Sequence, residues 1–108
     1  MRHLLIAVLV ALIASTAMAR GPFVTGGSFQ KLRPGMSPEQ VERIVGRPDG
    51  FKTVGSQVAY TYLNILISGW AWDRVDYHVI FTDDRLTEIG TGEVRQNSQT
   101  GTLFIFSH

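Results

Sequence analysis

In this sequence of 108 residues, Asp76 and His78 come nearest to acid–base chemistry by type and spacing. Two positions apart in an extended segment, they share a face on which a carboxylate can orient an imidazole. Nucleophilic catalysis would also need a serine or cysteine tied to that pair. The chain has no cysteine, and no serine stands in a recognisable nucleophile motif. Alternation sends Val75, Tyr77, Val79 and Phe81 to the opposite face, so Asp76 and His78 read as part of a solvated outer face. No catalytic residue, and hence no enzyme, is expected.

Metal and phosphate chemistry fare no better. His3, His78 and His108 lack ligand spacing, and Asp73, Asp76, Asp83 and Asp84 lack the glycine and closing glutamate of a calcium loop. Gly90-Thr91-Gly92-Glu93 and the run Gly46 to Gly50 match no P-loop or dinucleotide fingerprint, and both stand where turns or a strand bulge are expected. No metal ion or cofactor is implied.

The segment Ser68 to Arg74 carries more recognition chemistry than a connection needs. Extended, it places Trp70 and Trp72 on one side as an aromatic ridge next to Asp73 and Arg74. Two readings stay open: the rings cover an open end of a small core, or they contact a partner, since Trp and Arg anchor interfaces. Trp70, Trp72, Asp73 and Arg74, with Phe104 and Phe106 of the apolar segment Leu103 to Phe106, are the candidate protein-binding residues.

The clearest element that could support such a surface is a short helix. Ser37 is placed as its N-cap, Pro38 at its first position, and Gln40 three residues after the cap to complete a capping box. Met36 and Val41 are spaced for a hydrophobic staple, while Gly46 and Pro48 end the helix, giving the range 38–45. Val41, Ile44 and Val45 share one face, so the helix needs a sheet to lie on. Upstream, Ser28 is placed to cap a turn in which Phe29 and Leu32 share a face.

Beyond a turn at Gly46 to Gly50 the period changes to two. Val58, Tyr60 and Tyr62 alternate with Ala59, Thr61 and Leu63 in a strand reaching about Leu66. A second strand spans 74–82, and Asp83-Asp84-Arg85 turns it into a third near 86–90. Thr102 to Phe106 has strong strand composition and is expected to form an extra strand. The fold class is therefore α+β, with one or two short N-terminal helices on a three- or four-stranded antiparallel sheet.

The N-terminus reads as a secretory signal over residues 1–19: Arg2, an apolar run from Leu4 to Ala14, and Ala17-Met18-Ala19 as the cleavage site. A flexible leader is expected over 20–27 and one domain over 28–108, with 96–108 as a C-terminal extension. The chain has ten Lys and Arg against nine Asp and Glu, and losing Arg2 leaves nine against nine. A neutral domain is not built for electrostatic capture of nucleic acid or anionic membrane. Without cysteine it has neither disulfides nor a thiol for a lipid anchor, so a periplasmic location is expected, with any outer-membrane association made through a partner.

The block Gly-Met-Ser-Pro-Glu-Gln-Val-Glu-Arg-Ile-Val-Gly-Arg-Pro of 35–48, the tyrosine-rich strand, and the hairpin sequence of 76–86 together resemble the SmpA/OmlA (BamE-like) family. The resemblance covers roughly Phe29 to Arg95. It implies a small periplasmic domain of two helices on an antiparallel sheet, without catalysis, similar to an outer-membrane lipoprotein that serves the insertion of β-barrel proteins. The sequence departs from that pattern in having no lipobox cysteine. β-Lactamase-inhibitor-like proteins share the two-layer architecture. The expected function is non-enzymatic binding or scaffolding of an envelope protein, with inhibition of a hydrolase through the same sheet surface as the alternative.

Overall fold

The computed structural model describes residues 24–67 and 73–107; the expected signal segment, positions 20–23, and both Trp70 and Trp72 lie outside the described residues. Two helices, α1 (Gly26–Phe29) and α2 (Pro38–Val45), precede six strands: β1 (Gly50–Val54), β2 (Gln57–Leu66), β3 (Arg74–Thr82), β4 (Arg85–Thr91), β5 (Glu93–Gln96) and β6 (Leu103–Phe106). Strands β1 to β4 form one antiparallel sheet in chain order, and β5 pairs with β6 in a separate two-stranded sheet. The α+β class stands, with β5–β6 as a further piece on the sheet face away from the helices.

Helix α2 forms as its sequence dictates. The Gln40 amide donates to Ser37 Oγ at 3.2 Å, the Ser37 amide donates to Gln40 Oε1 at 2.9 Å, and Gly46 closes the helix at φ 81°. Ser37→Ala removes one of these two bonds and is expected to lower stability by about 1 kcal/mol, read as a lower denaturant midpoint at unchanged slope.

The short upstream helix differs from expectation. Thr25 rather than Ser28 is the N-cap, and the Thr25 amide donates to Ser28 Oγ at 3.2 Å. The leader expected over 20–27 therefore does not reach residues 24–27: Val24 packs on the core and Gly26 is buried inside α1. A side chain at Gly26 would meet the Tyr77 hydroxyl at 2.9 Å, so this glycine permits close packing rather than flexibility.

Two apolar clusters sit on opposite faces of the main sheet. Phe29, Leu32, Val41 and Val45 from the helical side pack against Tyr62, Val79, Phe81 and Leu86. Residues Gly35 and Met36 fix the helices to β4, because the Gly35 amide donates to the Leu86 carbonyl and the Leu86 amide to the Met36 carbonyl, each at 2.8 Å. On the other face Ala59 and Ile80 pack with Leu103, flanked by Val54, Val94 and Ile105. That face was expected to be solvated; the hairpin β5–β6 covers it.

The turn between β3 and β4 holds Asp83 and Asp84 at φ 52° and 62°, the left-handed pair a tight two-residue hairpin requires and aspartate tolerates. Strands β1 and β5 were not expected. β1 lies at the sheet edge with its middle three residues exposed, so it carries no in–out alternation, and β5 is a strand only by pairing with β6.

Candidate functional site

The residues singled out for acid–base chemistry are committed to structure. His78 is 5% exposed, and its two ring nitrogens face Thr61 Oγ1 at 2.9 Å and the Gly92 carbonyl at 2.8 Å. A carbonyl only accepts, so Nε2 carries a proton and donates to Gly92, while Nδ1 is held against the Thr61 hydroxyl. Asp76 does not face this ring as a partner. Its carboxylate accepts from the Asn64 amide at 3.0 Å, while Asp49 accepts from the preceding amide, Leu63, at 2.7 Å. These two amides belong to the irregularity where β2 slips register between Tyr62 and Ile65, and Asn64 there has φ 55°. The two carboxylates thus satisfy donors that the bulge takes out of the ladder. The solvated reading of this face is corrected for His78 and Ile80, which the later hairpin buries.

Asp73 and Arg74 flank residues 68–72 at the β2–β3 end of the sheet. The Ile67 amide donates to the Asp73 carbonyl at 3.0 Å, and Arg74 Nη1 donates to the Asn64 carbonyl at 2.9 Å. Beside them an open cavity of about 390 Å³ is lined by Val75, Asp76, Thr91 and Gly92. Gly92 in turn abuts the Phe106 carbonyl, so Phe106 reaches the same end of the molecule. Phe104 and Phe106 share the outward face of β6 opposite Arg95 and Glu93; the Arg95 guanidinium lies 3.7 Å over the Phe106 ring and pairs with Glu93. Asp73 and Arg74 precede the cavity residue Val75 in the chain, and the Phe106 carbonyl adjoins the cavity residue Gly92. Trp70 and Trp72 belong to the connection between β2 and β3 and lie outside the described residues.

A second concave surface was missed in the sequence. A groove of about 410 Å³ runs between α2 and β1, lined by Glu42, Arg47 and Pro48 on one side and Phe51, Thr53, Val58 and Tyr60 on the other. Phe51 is 72% exposed, the most exposed large apolar side chain described. Its signal was a bulky aromatic in a four-residue run bounded by Gly50 and Gly55, at a position the helix-facing core does not use.

Within this groove Tyr60 donates its hydroxyl proton to Glu42 Oε2 at 3.0 Å. Burial first, and the neighbouring Glu42 carboxylate second, push the Tyr60 phenol well above its ordinary range. A raised folded value means the native state holds this proton more tightly. The associated stability is complete below the unfolded pKa of about 10 and is lost as pH rises through the folded value. Wild-type denaturant midpoints should therefore fall above about pH 10, and those of Tyr60→Phe should fall less.

Among the described residues, no three His, Asp or Glu side chains are grouped to hold a metal ion. Helices on one sheet face, a hairpin on the other, and side chains engaged with backbone define a small α+β domain. The family model described as the outer membrane protein assembly factor BamE domain matches residues 21–90. The chain belongs to the BamE family, whose members are non-enzymatic envelope assembly factors. No curated protein and no solved structure matches it. The hairpin β5–β6 lies beyond the matched residues.

Proposed function

We propose that this chain is a periplasmic, non-enzymatic binding or scaffolding domain that acts by surface contact with an envelope protein. Family membership over residues 21–90 carries the reading. The surface proposed for the contact is the sheet end formed by Asp73, Arg74 and Phe106 beside the 68–72 connection, with Trp70, Trp72 and Phe104 as its further members. Aromatic and arginine side chains next to an open cavity are the chemistry that anchors protein contacts.

A photo-crosslinking residue at Asp73 or Phe106, introduced one at a time in cells, tests the reading. Adducts with an envelope protein are expected from both positions. Folded, exported protein that yields none from either would overturn it. Dose-dependent inhibition of a hydrolase by the purified protein would replace scaffolding with inhibition.

A further inference from the structure

We infer that the open edge of β1 is a docking site for an extended partner segment in which apolar side chains flank an acidic one. The inference rests on the reading of this chain as a binding domain, and not on the surface beside residues 68–72.

Among the described residues strand β1 is outermost in its sheet and pairs only with β2. Val54 and Gln57 close a two-residue loop whose first residue, Gly55, has φ 58°, the arrangement in which the flanking residues exchange hydrogen bonds. Alternation along an antiparallel ladder then turns the N–H and C=O groups of Phe51 and Thr53 away from β2. Such a row of outward groups is a template for one more strand.

The side chains on either face of this edge say what that strand carries. Phe51 and Thr53 share the helix-side face with Val58 and Tyr60, next to the groove. Residues of an added strand opposite Phe51 and Thr53 would cover that apolar floor, and apolar side chains fit there. Lys52, between them, points to the other face, where its cross-strand neighbour is Ala59. Among the described residues Lys52 has neither an ion pair nor a side-chain hydrogen bond. A second copy pairing about the centre of β1 would set two Lys52 ammonium groups opposite each other, which disfavours self-association. A carboxylate on the incoming segment supplies the missing charge.

Two soluble heptapeptides test this, one with a central glutamate flanked by valine and phenylalanine, the other with lysine in its place. With the glutamate peptide at millimolar concentration, amide NMR shifts and slowed amide exchange are expected at Phe51 and Thr53, and binding by the lysine peptide should be about fivefold weaker. Lys52→Glu should reverse that preference. Thr53→Pro, which removes an outward N–H where an edge strand tolerates proline, should abolish binding without loss of the folded spectrum. Absence of shifts with either peptide, or protection of Phe51 by dimerisation without peptide, would overturn the inference. Crosslinks from Phe106 that persist while the peptides fail would remove this edge alone; failure of both removes the binding-domain reading with it.

Discussion

Phe29→Ala is expected to destabilise the domain by about 3–5 kcal/mol, the range for deleting a large buried aromatic side chain. Phe29 is 2% exposed, stacks on Tyr77 with ring centroids 4.3 Å apart, and meets Tyr62 edge-on at 5.1 Å. It is the main apolar link between α1 and the sheet, since α1 has only four residues and no independent stability. A domain of this size is stable by about 5–10 kcal/mol, so the loss takes a large part of the total. The melting temperature should drop by about 12–40 °C, given roughly 4–8 °C per kcal/mol for such a chain. Gln30→Ala, one residue on and exposed, should melt within a few degrees of wild type. Equal melting of Phe29→Ala and wild type would contradict the packing of Phe29 in the core.

The elements legible in the sequence are those whose information is local. Helix α2 was readable from Ser37, Pro38, Gln40, Gly46 and Pro48 because capping and termination act within one turn. Strand β3 was readable because Val79 and Phe81 must share a face whatever lies opposite. α1 was hidden by Gly26 and Gly27, poor helix formers that read as linker; the reason for Gly26 is the Tyr77 hydroxyl, about fifty residues away in sequence. The burial of His78 was illegible for a related reason. Periodicity assigns it to a face, but the cover over that face is built from Gly92, Leu103 and Ile105. The covering strand is itself held by the sheet's polar side chains, with the Leu103 amide donating to Gln57 Oε1 at 2.7 Å and the Ile105 amide to Glu88 Oε2 at 2.9 Å. Polar residues that seemed to face water turn out to bind backbone.

The second large effect is expected from Gly92→Ala, through the joint between β4 and that cover. Gly92 has φ 117°, and a methyl group there would stand 2.1 Å from the Phe106 carbonyl oxygen and 3.0 Å from the Ser107 Cα. The backbone conformation alone costs a non-glycine residue about 1–3 kcal/mol. The clash is with main chain, so no rotamer relieves it and β6 has to move. Movement of β6 and Gly92 breaks the His78 bond, the two amide bonds to Gln57 and Glu88, and the packing of Leu103 on Ala59 and Ile80. A total loss of about 3–5 kcal/mol is expected, comparable with excavating a core side chain. Hydrogen exchange locates it: the Leu103 and Ile105 amides should exchange far faster than in wild type, while those of Val79 and Phe81, which face the helices, stay the more protected. Wild-type exchange at Ile105 in the variant would contradict the placement of the hairpin. The same substitution separates the two surfaces, because Phe106 and the cavity at Thr91 and Gly92 move with the hairpin whereas Phe51 and Lys52 are held by β2. Crosslinking from Phe106 should therefore be lost in Gly92→Ala under conditions where the main sheet persists and peptide binding at the β1 edge survives.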